Sequence, residues 1–161
     1  MAYYTTEEAI ELVKAFEQRT LPRSEWTHAA LLTVGLYYCL RYSFGTAINL
    51  MREGIQAIND IHGIPNTKTS GYHETLTMFW MIVIKQFAGT SGRFSFGELA
   101  NQLIGICGDP RLPLEYYSLS LLFSAEARER HVLPDLEELY LFVSASKLAA
   151  QTGGYAETEF A

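Results

Sequence analysis

Residues 22–42 read PRSEWTHAALLTVGLYYCLRY, and the fold turns on this stretch. Pro22 breaks whatever precedes it, and Ser24 offers an N-cap. Glu25 then falls in the first turn, where a carboxylate favours the positive end of the helix dipole. Beyond His28 the stretch is apolar almost all round. A helix with no wet face belongs in the centre of a fold rather than on its surface. Gly35 costs helix propensity, and it permits a second helix to cross closely. The same pattern returns at residues 70–87, SGYHETLTMFWMIVIKQF, with Ser70 as the cap. Two such helices form a central pair.

The rest of the chain supplies helices to surround them. Residues 5–22, TTEEAIELVKAFEQRTLP, open with Thr5 and Glu8 at capping-box spacing. Ile10, Val13 and Phe16 then recur at helical spacing, and the helix closes near Arg19. Residues 44–60 carry Ile48, Met51, Ile55 and Ile58 on one stripe. A loop rich in Gly, Pro, Asn and Asp follows over 59–71. Ser95 and Glu98 make a second capping box before a helix ending near Ile106. Residues 114–131 read as two short helical pieces capped by Ser118 and Ser124. A last helix runs over 134–149, with Asp135 as N-cap and Glu138 as its capping-box partner. Residues 153–161 form a frayed polar tail. No strand pair, repeat or linker interrupts the pattern. The expectation is an all-α protein: one domain over residues 1–161, a bundle of six to seven helices with two buried at its centre.

Composition narrows the function. The chain of 161 residues is 48% hydrophobic and 19% charged, the balance of a globular domain. Its net charge is −6 and it has no run of Lys or Arg, which argues against a nucleic acid or an anionic membrane as partner. The longest wholly apolar stretches, such as MIVI, are far shorter than a membrane span. No basic-then-apolar segment marks a signal peptide. Cys39 and Cys107 sit in apolar surroundings without zinc-site spacing, so two free buried thiols in a reducing cytoplasm are expected.

Chemistry gathers at the two helix starts. Glu25 and His28 are three apart, a spacing that puts both on one helical face. His73 and Glu74 are adjacent and diverge by about 100°. If the two starts meet, His28 and His73 with Glu25 or Glu74 make a mononuclear site for Fe, Zn, Mn or Ni, with positions left open for substrate or water. Without metal, either histidine serves as general base with a glutamate fixing its tautomer. The plainer alternative is that the glutamates are first-turn acids and the histidines bond a neighbouring helix end or a tyrosine hydroxyl. Trp26, Tyr72 and Trp80 are placed to line a pocket, or else to fill the core. Arg128, flanked by small residues in SAEARERH, is suited to clamp a carboxylate or phosphate, or to pair with Glu25 or Glu74. Tyr116 and Tyr117 add hydroxyls. His62 in the loop and His131 at a helix end rank lower. No Ser/His/Asp elbow, phosphate-binding glycine loop or dinucleotide fingerprint is present, so no nucleotide cofactor is expected.

The ordered motifs LPRSEWTHAALL, GYHETLT, EYYS and SAEARERHVLPDLEEL resemble a family of small bacterial all-helical proteins over about residues 21–139. The resemblance implies no particular reaction. It implies that Trp26, Thr27, His28, Tyr72, His73, Glu74, Thr75, Arg128 and Asp135 belong to the family pattern. Two functions follow as expectations. The first is a small cytoplasmic enzyme acting on a small polar substrate, with or without a divalent metal. The second is a non-catalytic binding protein whose ring-lined pocket takes a small ligand or a partner helix. A homodimer is compatible with either.

Overall fold

The computed structural model describes residues 4–137. Seven α-helices lie among them: α1 (Thr6–Glu17), α2 (His28–Arg41), α3 (Phe44–Ile61), α4 (Glu74–Gly89), α5 (Phe96–Cys107), α6 (Leu119–Leu122) and α7 (Ala125–Glu129). Two 3-10 turns, Arg23–Glu25 and Leu112–Glu115, join them, and no strand occurs among the described residues. The all-α bundle expected from the sequence is the fold.

Both capping boxes form. Thr5 accepts from the Glu8 amide and Ser95 from the Glu98 amide, and each glutamate answers at the cap's own amide. Ser118 and Ser124 cap α6 and α7. The sequence around Asn101 ties the chain's beginning to α5. The Asn101 amide accepts from the Tyr4 N–H at 3.0 Å and donates to the Tyr4 carbonyl at 2.9 Å.

The central pair is α2 and α4. Leu32, Val34 and Leu36 of α2 are fully buried, as are Met81 and Ile84 of α4. Gly35 makes their approach possible. A Cβ on it would stand 2.6 Å from Ile84 Cδ1 and 3.2 Å from Met81 Sδ. The stripe Ile48, Met51, Ile55 and Ile58 turns α3 inward against the same core. Both cysteines are buried and free. No helix among the described residues is long and apolar enough to cross a membrane.

The two central helices begin later than the sequence suggests. Ser24 does not cap α2; it lies in the 3-10 turn, and Thr27 caps the helix by accepting from the Ala30 amide at 3.2 Å. The reason is Trp26. Its ring stacks on Phe16 with centroids 4.9 Å apart, which fixes the backbone at φ −82°, ψ 77°, outside the helical region. Glu25 and His28 therefore do not share a helical face. Ser70 does not cap α4 either. His73 does, its Nδ1 accepting from the Leu76 amide at 3.1 Å. His62, expected in an open loop, is half-buried at the end of α3, where its Nε2 hydrogen-bonds the Leu21 carbonyl at 2.8 Å. The helix expected over 134–149 lies almost wholly outside the described residues, as does the tail at 153–161. Asp135 spends its carboxylate on the backbone N–H and hydroxyl of Ser118, at 2.7 and 2.6 Å.

Candidate functional site

The two histidines of the helix starts have separate duties. His73 is 7% exposed and both of its nitrogens are engaged. Nδ1 takes the Leu76 amide proton, so Nε2 carries the ring proton and donates it to the Leu122 carbonyl at 2.6 Å. That leaves no lone pair for a metal or a substrate proton. His28 hydrogen-bonds the Cys107 carbonyl through Nε2 at 3.0 Å and packs edge-on against Trp80, with centroids 4.4 Å apart. One histidine thus clamps α6 to α4, while the other clamps the end of α5 to α2. Burial pushes both pKa values below the ordinary histidine value, against the opposing pull of the carbonyls they bond.

The glutamates part in the same way. Glu25 is exposed and lines a groove beside α1. Glu74 is engaged elsewhere: Arg52 of α3 meets it through Nε at 2.9 and 3.1 Å and Nη2 at 2.5 Å, and the Tyr72 hydroxyl donates to it at 2.6 Å. Burial alone would raise the Glu74 pKa. The hydrogen bonds from Arg52 and Tyr72 outweigh it and hold the carboxylate charged. The structure therefore does not bring His28, His73 and a glutamate together as one ligand set. Among the described residues, no three His, Cys, Asp or Glu side chains are grouped as a metal ion would require.

The rings expected to line a pocket are divided between core and surface. Trp80, 4% exposed, packs against Phe79 and His28, and Trp26 lies on Phe16. Tyr116 and Tyr117 are both buried, and the Tyr117 hydroxyl donates to the Val132 carbonyl at 2.7 Å. Tyr72, the third of the expected pocket rings, borders a cleft.

That cleft, of about 680 Å³, opens between α3, the loop before α4, and α7. Arg52, Gln56, Lys68, Tyr72, Glu74 and Arg128 are among its walls. The loop is tightly built for a segment of its composition. Asn66 accepts from the Asn59 side chain and the Tyr72 amide, both at 2.9 Å, and donates to the Gln56 carbonyl and the Asp60 carboxylate at 3.2 and 3.1 Å. Gly71 closes the turn at φ +78°, where a Cβ would lie 2.4 Å from the Pro65 carbonyl oxygen. The carbonyls so presented at Gly71 and Tyr72 receive Arg128 Nη1, at 2.7 and 3.4 Å. Arg128 does not pair with Glu25 or Glu74; Arg52 has taken Glu74. Its Nε–H and Nη2–H groups have no protein partner among the described residues.

Behind the cleft runs the segment after α7. Thr75 donates to the Arg130 carbonyl at 2.9 Å and accepts from the Val132 amide at 3.1 Å, which fastens this segment to the first turn of α4. His131 lies between those bonds. Its Nε2 is buried without a hydrogen-bond partner among the described residues, and Glu74 is the charge it feels. Desolvation holds its pKa low against that charge.

Arg52, Gln56 and Asn66 were not singled out by the sequence, and His131 ranked low. A signal for the first was present. Arg52 sits at i+4 from Ile48 and i−3 from Ile55, so a charge borders the apolar stripe of α3, with Gln56 one turn further on. No family model, curated protein or solved structure matches the chain.

Proposed function

We propose that the protein binds a small anionic molecule in the cleft between α3 and α7, with Arg128 as its anchor. The observation that carries this reading is the open edge of the Arg128 guanidinium, held in place by the Gly71 and Tyr72 carbonyls. Three cations and two carboxylates wall the cleft in a protein whose net charge is −6. Arg52 and Glu74 neutralise each other, so a positive excess is left for a ligand. Binding without chemistry is favoured over catalysis because the best-placed carboxylate, Glu74, is already saturated by Arg52 and Tyr72. The sequence suggested a ring-lined pocket; the proposed one is polar, with Tyr72 as its ring.

Thermal denaturation with small carboxylates, phosphates and sulfate tests the proposal. A ligand at a hundred times its Kd stabilises by about 2.7 kcal/mol. Arg128→Lys keeps a donor for the loop carbonyls and loses the paired edge, so it should abolish the shift. An anion panel that leaves the midpoint unmoved would sink the reading.

A second reading is an enzyme, and His131 favours it. An imidazole nitrogen with no partner among the described residues, in a ring that feels the Glu74 charge, meets one requirement of a general base. If this reading holds, His131→Gln removes turnover and leaves ligand affinity in place. A divalent metal at His28, His73 and a glutamate would require His73 to release Leu76 or Leu122. Elemental analysis giving one Fe, Zn, Mn or Ni per chain would support that rearrangement.

A further inference from the structure

Resting on the reading of the cleft as an anion site, we infer that its ligand is a phosphate monoester, gripped as the dianion by Arg128 together with Lys68. The guanidinium of Arg128 has spent Nη1 on the loop carbonyls. What is left is Nε–H and Nη2–H, the parallel pair of donors that matches two oxygens of one carboxylate or phosphoryl group. Arg52 uses that same edge on Glu74 a short way along the cleft. Arg128 thus presents to the open cleft what Arg52 presents to a fixed carboxylate.

The second cation decides between the two anions. Lys68 Nζ stands 3.8 Å from Glu129 Oε1, and the two side chains are 75% and 51% exposed. A pair so loose and so wet holds Lys68 weakly. Glu129 follows Arg128 in sequence, and Lys68 stands three residues before Gly71, whose carbonyl holds Arg128. Both cations are walls of the one cleft, at its loop and α7 side, so a single ligand there has both charges to answer. Gln56 adds a side-chain amide with no partner among the described residues. A monocarboxylate offers two oxygens and one charge, and leaves Lys68 unanswered. A phosphate monoester carries a charge of about −1.5 to −2 at pH 7 and three terminal oxygens.

Ionisation of the ligand supplies the test. The charged and titratable groups around the cleft are Arg52 of α3, Lys68 and Tyr72 of the loop, His73 at the cap of α4, which feels the charge of Arg128, Glu74 of α4, Arg128 and Glu129 of α7, and His131 beyond it. Of these His73 and His131 have ordinary pKa values near neutrality, and burial holds both lower. The second ionisation of a phosphate monoester, near pH 6, therefore governs binding.

Isothermal titration calorimetry on the full chain with glycerol 3-phosphate, succinate, acetate and sulfate separates the outcomes. Glycerol 3-phosphate should bind about tenfold more tightly at pH 7.5 than at pH 5, as its dianion rises from about a tenth of the ligand to nearly all of it. Sulfate, doubly charged throughout, should show no such rise. Lys68→Gln should weaken glycerol 3-phosphate about tenfold, and Glu129→Gln should tighten it by freeing Lys68. Succinate or acetate binding as tightly as glycerol 3-phosphate through Arg128 overturns the phosphate assignment and leaves the anion site standing. A pH rise shared equally by sulfate overturns it too, because the titrating group is then in the protein. No binding by any of the four removes both the assignment and the site.

Discussion

Replacing His73 separates a structural histidine from a ligand-binding one. His73→Ala removes the cap of α4, a loss of about 1 kcal/mol at such positions. It also strands the Leu122 carbonyl, whose 2.6 Å hydrogen bond contributes about 0.5–1.5 kcal/mol. Loss of the ring packed edge-on against Phe123 brings the total to about 2–3 kcal/mol. For a chain of this size that lowers the midpoint by about 5–10 °C. His73→Asn restores the cap and not the contact with Leu122, so it should recover about 1 kcal/mol of the loss. Urea unfolding followed by circular dichroism at 222 nm measures both variants. The reasoning fails if His73→Ala unfolds within about 0.5 kcal/mol of the parent. It also fails if that variant keeps its stability while losing a bound metal, since the ring would then be a ligand rather than a clamp.

Three further outcomes follow from burial. His28, His73 and His131 all have pKa values below the ordinary 6.5, desolvation being the first cause in each, so the unfolded chain takes up protons that the folded one refuses. Stability should be full above about pH 6.5 and decline as the pH falls through and below it; urea midpoints that hold constant from pH 7 to 5 would count against the buried neutral rings. Gln86 is 1% exposed, and neither end of its amide has a hydrogen-bond partner among the described residues, so Gln86→Met should stabilise by about 1–2 kcal/mol; a destabilised variant would mean the amide is in fact bonded. Burial raises Cys39 to about 12 and Cys107 to about 11, so an alkylating reagent at pH 8 should modify the native thiols far more slowly than those in urea, and reductant should leave gel mobility unchanged.

The fold was open to a reading of periodicity because its helices announce themselves locally. Thr5 with Glu8 and Ser95 with Glu98 carry their caps within four residues, and the apolar stripe of α3 needs no partner to be seen. The starts of α2 and α4 depart from the local pattern for one shared reason. Ser24 and Ser70 are good caps by residue type, but Trp26 is drawn onto Phe16 and Gly71 into a turn, and both contacts lie beyond the local pattern. The pairing of Glu25 with His28 fell with the helix start that it assumed. Arg128 stands out in the sequence from its small neighbours, and the structure sets it against the Gly71 and Tyr72 carbonyls. The other walls of its cleft were not legible, because Arg52, Gln56 and Lys68 come from a separate helix and from a loop without periodicity. His73 illustrates a further limit: a histidine beside a glutamate looks the same in sequence whether its nitrogens face a substrate or two backbone groups.

The bonds between Tyr4 and Asn101 have a consequence for synthesis. They span 97 residues, and the Thr6 hydroxyl meets the Gly97 amide across 91. The first helix leaves the ribosome without the helix that fastens its beginning. At about 5–20 residues per second, some 5–20 s pass before that partner is made. For that interval the apolar face of α1, with Leu12, Val13 and Phe16, lacks one of its covers. A nascent chain arrested before residue 97 should therefore bind a hydrophobic-surface chaperone, and one arrested well beyond residue 107 should release it.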